Sequence, residues 1–155
     1  MNRTTNTRNE GRAAPAATLA PLHIIVADDN ADTLLTLRLL LEDDGHVVRA
    51  LASGEGVVDA VRQFKPDVCV LDIEMPGASG YAIAGEIRSI YGSLRPLMIA
   101  ISGKWYRGSD RLLAMSCGFD HFLEKPADPR QLCRLLADMR QSRVAAARSL
   151  GSESD

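Results

Sequence analysis

The segment VCVLD, residues 68–72, is typical of a buried strand that ends in a carboxylate. Similar short apolar runs recur along the chain and alternate with longer stretches of helical periodicity. Near-continuous apolar strands that alternate with helices form parallel sheets covered on both faces. We therefore predict an α/β fold with a doubly wound, five-stranded parallel sheet. Its predicted strands are 22–27, 47–51, 68–71, 97–101 and 119–123.

Five helices are expected around this sheet, and several begin at residues that favour helix N-caps. The predicted N-caps are Asn30, Ser53, Ser79 and Asp128. Gly45 is expected to end the first helix, because glycine tolerates the left-handed conformation that follows many helices. The last helix begins with Pro129 and shows apolar residues at 132, 135, 136 and 139.

The length and composition indicate one globular domain. The chain has 155 residues, of which 46% are hydrophobic and 25% charged, and a formal net charge of -2. This charge gives no reason to expect nucleic acid as a partner. Apolar runs are far shorter than the roughly 20 residues needed to cross a membrane, and there is no apolar export segment. We expect no membrane partner and a cytoplasmic location, in keeping with three unpaired cysteines.

The two ends of the chain differ in composition from the middle. Residues 1–20 have no periodic apolar face and are predicted to form a disordered tail. A basic amphipathic targeting segment is the alternative. Residues 21–141 are predicted to form the domain. Residues 142–155 are expected to extend the last helix and then to fray.

Chemically active side chains follow four of the predicted strands. The first strand is followed by Asp28 and Asp29, the third by Asp72, the fourth by Ser102 and the fifth by Lys125. In parallel α/β sheets these strand ends converge on the ligand site. Two carboxylates about 4 Å apart repel by roughly 4 kcal/mol at an effective dielectric of 20, so a cation or proton uptake must compensate. With oxygen ligands only, Mg²⁺ is the expected ion.

Such a site suits phosphoryl transfer to a carboxylate. Asp72 is the best candidate for the nucleophile, since it stands alone at the tip of the central strand. Asp28 and Asp29 are better placed to hold the metal, together with the main-chain carbonyl oxygen of Glu74. The alternative is that Asp-Asp-Asn merely caps a helix and Lys-Pro belongs to an ordinary loop, which the combination of all these residues disfavours.

The segments VADDN, VLDIEMPGASGY, AISG and GFDHFLEKP resemble the receiver domains of two-component response regulators. The resemblance covers roughly residues 22–140. It implies a flavodoxin-like fold with strand order 2-1-3-4-5 that accepts a phosphoryl group from a phosphohistidine. It also implies that Asp72 is phosphorylated and that Asp28, Asp29 and the Glu74 carbonyl bind Mg²⁺. Ser102 and Lys125 would contact the phosphoryl oxygens, and the acyl phosphate would be hydrolysed slowly.

Three residues stand out from the usual pattern of that family. Phe122 lies where an aromatic residue usually moves inward after phosphorylation, and it lacks the hydroxyl of the more common tyrosine. It is either part of this switch or a plain core residue. Glu74 and Lys104 are either a pair that tunes the lifetime of the phosphoryl group or a solvated ion pair of little energetic value.

The loop after the fourth strand is one residue longer than we expect for receivers. Its Trp105 and Tyr106 are either anchors for a docking partner or ordinary loop residues. Gly103, which has no side chain, is expected to leave the site open to water or to a donor.

Three other classes remain as alternatives. A haloacid-dehalogenase-like phosphatase requires an Asp-x-Asp on the first strand, and a flavodoxin requires a hydroxyl-rich phosphate loop there. A pseudo-receiver, which binds partners without phosphorylation, requires a missing site residue. We predict a stand-alone receiver that is a stoichiometric phosphoacceptor, not an enzyme. Its expected partners are a histidine kinase or histidine phosphotransfer protein and an unknown downstream target, with a slight preference for a kinase-linked or relay role.

Overall fold

A computed structural model describes residues 20–103 and 108–151 of the chain. The elements in chain order are β1 (His23–Ala27), α1 (Ala31–Asp43), β2 (Val47–Leu51), α2 (Val57–Phe64), β3 (Val68–Asp72), α3 (Gly80–Tyr91), β4 (Leu97–Ser102), α4 (Gly108–Cys117), β5 (His121–Glu124) and α5 (Pro129–Gly151). A 3-10 turn at Gly92–Leu94 precedes β4. All strand pairings are parallel, in the order β2-β1-β3-β4-β5, so the predicted fold and strand order are confirmed.

The sheet separates two apolar clusters. Successive side chains of a strand point to opposite faces, so Ile25 and Ala27 join one cluster and Ile24 and Val26 join the other. The first cluster includes residues of α2, α3 and α4, and the second includes residues of α1 and α5. Every residue of β3 is buried. The central strand therefore carries its terminal Asp72 on a rigid support.

Three of the four predicted N-caps are confirmed by side-chain hydrogen bonds. Asn30 Oδ1 accepts from the Thr33 amide at 3.0 Å, Ser79 Oγ from Ala82 at 3.2 Å, and Asp128 Oδ1 from Arg130 at 2.9 Å. Each cap satisfies one amide that has no acceptor within its helix.

Ser53 was the wrong N-cap for α2, which starts four residues later. Gly56 occupies the cap position with φ +83°, and the Val57 amide donates to the Gly54 carbonyl in a turn. A side chain at Gly54 would collide with the carbonyl oxygen of Ala78. Residues 53–56 are therefore a turn packed against a neighbouring loop.

The predicted start of β5 at Phe119 was also wrong. Gly118 has φ +119°, and the Phe119 amide donates to the Ala114 carbonyl, so Phe119 closes the end of α4 and the strand begins at His121. Phe119 is nevertheless buried. Its apolar character reflects this packing at the helix end.

Helix α5 runs from Pro129 to Gly151, and its fully buried leucines, Leu132 and Leu136, lie in its first half. Its residues after 141 continue the helix as far as Gly151. Residues 1–19 and 152–155, on which the predictions of disorder and fraying fall, lie outside the described residues. Among the helices that are described, none is long and apolar enough to span a bilayer.

Candidate functional site

The carboxyl edge of the sheet brings the predicted acids together. Asp28 and Asp29 follow β1, and Asp72 is the last residue of β3. Each of these three residues offers one carboxylate oxygen, and the three oxygens lie within 4.8 Å of one another. Asp28 and Asp72 are buried, whereas Asp29 is exposed. The parallel order of the strands thus produces the predicted cluster.

Lys125, just after β5, bridges two of these carboxylates. Its Nζ lies 2.6 Å from Asp28 Oδ2 and 3.2 Å from Asp72 Oδ2. The side chain of Lys125 is 18% exposed, against 1% for Asp28 and 6% for Asp72. Asp28 Oδ2 is buried and makes no hydrogen bond of good angle to any described group. The ionic contact with Lys125 therefore offsets the cost of burying this oxygen. Three carboxylates and one ammonium leave a formal charge of -2 at the site.

Backbone amides fix the orientation of both buried carboxylates. Asn30 N donates to Asp28 Oδ1 at 2.9 Å, and Glu74 N donates to Asp72 Oδ1 at 3.2 Å. Each bond spans two residues, as in an Asx turn. One oxygen of each carboxylate is therefore held by the loop that follows its strand, while the other faces Lys125.

The electrostatic environment shifts the pKa of both Asp72 and Lys125. Burial raises the pKa of the Asp72 carboxyl; Lys125 and the Glu74 amide oppose the rise and Asp28 adds to it, which leaves the pKa above its ordinary value. Burial alone would lower the pKa of Lys125, but Asp28 and Asp72 outweigh it and the pKa is raised. Lys125 therefore stays charged, while Asp72 is a more basic carboxylate than a solvated one.

The donor set fits a hard divalent cation. It consists of carboxylate oxygens alone, its formal charge is negative, and Asp29 opens it to solvent. Mg²⁺ prefers such ligands and retains part of its water shell. Asp28, Asp29 and Asp72 are the side chains that would hold it. The predicted role of the Glu74 carbonyl stays a prediction.

Ser102 and Gly103 border the site on the β4 side. Ser102 is buried at the end of β4, and its carbonyl accepts from the Lys125 amide at 2.7 Å. This bond links the loop of Ser102 directly to the residue that contacts Asp72. Gly103 is exposed, and a β-carbon there would lie 3.5 Å from Lys125 Cδ, an ordinary contact.

Gly80 has a role that sequence analysis missed. A β-carbon at Gly80 would lie 2.9 Å from Ile73 Cα, and its amide donates to the Ile73 carbonyl at 2.8 Å. The start of α3 is thereby pressed against the loop that carries Asp72. A glycine directly after the N-cap Ser79 was the available signal, because close backbone approach is a common reason for glycine.

The remaining predicted residues have different outcomes. Phe122 is 7% exposed and belongs to the core cluster beside α4, which is compatible with both interpretations. Glu74 is exposed at the rim of the site. Lys104, Trp105 and Tyr106 lie outside the described residues, so their predicted tuning and docking roles stay predictions.

Comparison with known proteins identifies one family. Residues 24–137 match the response regulator receiver domain. The chain is 34% identical over 119 residues to an uncharacterized 14.6 kDa protein of Leptolyngbya boryana, covering 77% of this chain and 90% of that protein. It is 32% identical over 124 residues to the transcriptional regulatory protein KdpE of Mycobacterium tuberculosis, covering 79% of this chain and 53% of KdpE. The chain thus spans about half the length of that regulator.

A sensor protein and two solved structures extend the comparison. The chain is 33% identical over 126 residues to the sensor protein GacS of Pseudomonas syringae. The match covers 79% of this chain and 14% of GacS. The N-terminal domain of an uncharacterized Wolinella succinogenes protein superposes with TM-score 0.72 at 27% identity, over 81% of this chain and 98% of that one. A CheY-like receiver domain protein of Methanospirillum hungatei superposes with TM-score 0.72 at 20% identity and shows the same fold. The superposition covers 82% of this chain and 99% of that one.

Proposed function

Because this chain belongs to the response regulator receiver domain family of two-component signalling, we propose that Asp72 accepts a phosphoryl group from a phosphohistidine. The donor would be a histidine kinase or a histidine phosphotransfer protein. The observation that supports this most directly is the placement of the Asp72 carboxylate. It lies at the tip of the central strand, 3.2 Å from the Lys125 ammonium and within a cluster of three acids.

In the proposed reaction, a carboxylate oxygen of Asp72 attacks the phosphorus. An O–P bond forms, the N–P bond of the phosphohistidine breaks, and the imidazole nitrogen keeps the electron pair and takes a proton from solvent. The Asp72 carboxylate is 5% exposed, so little water competes for the attacking oxygen. The Glu74 amide holds the other oxygen at 3.2 Å and so fixes the direction of attack.

Among the described residues, the Lys125 ammonium has two carboxylate partners before transfer, and it would gain a further partner afterwards. Its ammonium contacts Asp28 and Asp72, so a phosphoryl group on Asp72 would bring anionic oxygens within its reach. Mg²⁺ held by Asp28, Asp29 and Asp72 would neutralise charge on the incoming group. Ser102, buried at the adjacent strand end, would donate its hydroxyl to a phosphoryl oxygen.

Phosphorylation of Asp72 would change the structure of β4 and β5 and so signal to a partner. A shift of Ser102 toward the phosphoryl group would act on the Lys125 amide, which donates to the Ser102 carbonyl, and so on the segment of β5 that carries Phe122. Arg111 of α4 donates to the Phe122 carbonyl at 3.4 Å. Leu112 and Met115 on α4 are 72% and 46% exposed, a surface that suits protein contacts. The downstream target would bind at α4, β5 and α5.

The role is proposed to be that of a stoichiometric phosphoacceptor that also hydrolyses its own acyl phosphate. Gly103, which is exposed and has no side chain, would leave the site open to water. Similarity to both a transcriptional regulator and a sensor protein is compatible with a relay as well as with a diffusible effector. An enzyme of the dehalogenase type would release phosphate from small esters with turnover, whereas a receiver takes up one group per chain.

Intact mass after incubation with acetyl phosphate and Mg²⁺ tests the proposal. We expect the wild type to gain one phosphoryl group, and Asp72→Asn or wild type with EDTA to gain none. Asp59→Asn, which alters an acid on the surface of α2, is the matched control and should be phosphorylated normally. Wild type that gains no group and shows no spectral change with beryllofluoride and Mg²⁺ would contradict the proposal and favour a pseudo-receiver.

A further inference from the structure

A second concavity lies at the opposite, amino-terminal edge of the sheet, away from the acidic cluster. It has a volume of about 400 Å³ and lies between the start of β1, the α2–β3 loop and α5. Its charged lining consists of Lys65, Asp67, Arg140 and Arg143, and its apolar part includes Leu22 and Val144. We propose that this cavity is a binding site for a small anion that carries a phosphate or carboxylate group.

The charge of the lining is the first argument. Three cations face one carboxylate, which leaves a formal charge of +2 in a chain whose total is -2. The carboxylate already has partners, since Asp67 accepts from Arg143 Nη1 at 2.6 Å and from the His23 amide at 2.8 Å. These contacts outweigh the effect of burial and hold the pKa of Asp67 below its ordinary value. Asp67 therefore compensates Arg143, and among the described residues Lys65 and Arg140 have no carboxylate within salt-bridge distance.

Arg140 is the more buried of these two cations. Its Nη2 donates to the Ala20 carbonyl at 3.1 Å and lies 3.3 Å from His46 Nδ1. His46 Nδ1 also accepts from the Leu22 amide, so its ring is held as a neutral acceptor. Arg140 Nε is buried and has no hydrogen-bond partner among the described residues. Neutral acceptors orient the guanidinium without balancing its charge.

Lys65 is the other uncompensated cation. It ends α2 in the left-handed conformation, with φ +49°, and is exposed. Within the described part of the chain it forms no ion pair. The segment before Ala20 carries Arg3, Arg8 and Arg12 against Glu10 alone, so its charge has the same sign as the cavity. An anion from solution is the ligand that matches this lining.

The test is a titration of the full-length chain, without Mg²⁺, observed through backbone amide shifts. Inorganic phosphate and succinate would be added in parallel, with sodium chloride at matched ionic strength as the reference. We expect saturable shifts at Leu22, His23 and Asp67. The anion that binds more tightly distinguishes a phosphate from a carboxylate ligand. Saturation by either supports the site.

Three variants make the expectation specific. Lys65→Gln, at an exposed position that does not threaten folding, should weaken binding about tenfold, the value of one hydrogen bond to a charged group. Asp67→Asn should strengthen it, because the competing carboxylate is lost while an acceptor for the His23 amide remains. Arg148→Gln is the control, since it removes the same charge from α5 outside the cavity lining.

The proposal is overturned by any of three results. One is the absence of saturable shifts at these amides with both anions. Another is an equal response to chloride, which would indicate general screening. The third is an equal loss of binding in Arg148→Gln and Lys65→Gln, which would mean that overall charge, and not this cavity, attracts the anion.

Discussion

A β-carbon at Gly80 would lie 2.7 Å from the carbonyl oxygen of Asp72, so the start of α3 directly contacts the backbone of the candidate phosphoacceptor. Real β-carbons essentially never come this close to another heavy atom. The neighbouring atoms are backbone atoms of Asp72 and Ile73, which cannot rotate away as a flexible side chain could. The position of Asp72 therefore depends on the absence of a side chain at Gly80.

Gly80→Ala should lower the free energy of unfolding by about 2 kcal/mol, a typical cost of overpacking, and should slow phosphorylation by displacing Asp72. Gly85→Ala in the same helix is the control. Its β-carbon would meet nothing closer than 4.0 Å, and helix propensity predicts a gain of about 0.5–1 kcal/mol. Urea denaturation of both variants checks this. Equal free energies of unfolding for the two variants would mean that the loop after β3 moves away from the added methyl group at little cost, which would contradict the prediction.

Lys125→Met should destabilise the protein in the absence of divalent cations, by about 3 kcal/mol, because Asp28 and Asp72 would keep their buried charges without a partner. Adding Asp28→Asn to this variant should restore part of the loss, and a double-mutant cycle in urea gives the coupling. Lys65→Met, at an exposed position, should change stability by less than about 0.5 kcal/mol. If the changes in the free energy of unfolding caused by the two substitutions, at residues 28 and 125, were additive, the ion pair would be contradicted.

Asp72→Asn should stabilise the protein at pH 7 in EDTA. The folded-state pKa of Asp72 is above its ordinary value of 3.8, so the native state holds this proton more tightly than the unfolded chain. Stability is therefore lost as pH rises from about 3.8 through the folded-state pKa. The loss is about 1.4 kcal/mol for each unit by which the folded-state pKa exceeds the ordinary value. Urea denaturation from pH 4 to 7 should show that the variant's advantage grows with pH. A variant less stable than wild type at pH 7 would refute this.

Wild type should lose stability as the pH falls below neutrality, and His46→Gln should not show this loss. Burial, and then the charge of Arg140, lower the pKa of His46 below its ordinary 6.5, although Asp44 opposes this. The stability linked to the neutral ring is present above pH 6.5 and is lost as pH falls through the folded pKa. Chemical denaturation at pH 7 and pH 5 measures the loss. His121→Gln, on β5 away from these contacts, should retain it.

Much of the fold was predictable because its signals are local in the chain. Strand β2 was predicted residue for residue, and Asn30, Ser79 and Asp128 cap their helices as expected. Ser53 failed as a cap because Gly54 has to pack against Ala78, a contact with a distant loop. Phe119 was assigned to a strand because a buried residue at a helix end has the same apolar character as a strand residue.

The candidate site was predictable as a set of residues but not as a set of contacts. Side chains at strand ends converge in any parallel sheet, so Asp28, Asp72 and Lys125 could be grouped from their positions alone. Which oxygen faces the ammonium depends on side-chain rotamers and on the amides of Asn30 and Glu74. From the sequence, a cation or proton uptake was expected to offset the repulsion between the acids; in the structure the Lys125 ammonium, 2.6 Å from Asp28 and 3.2 Å from Asp72, already offsets part of it.

The alternation of strands and helices, the order of chemical groups along one sheet edge and the family of this chain could all be read from the residues, since each depends on short-range pattern. The packing of distant elements decided that Gly80 presses on Asp72 and that Lys125 lies between two carboxylates. It also decided that Arg140 meets His46 across 94 residues of chain. Such contacts depend on how separate elements pack, and local periodicity carries no information about that packing.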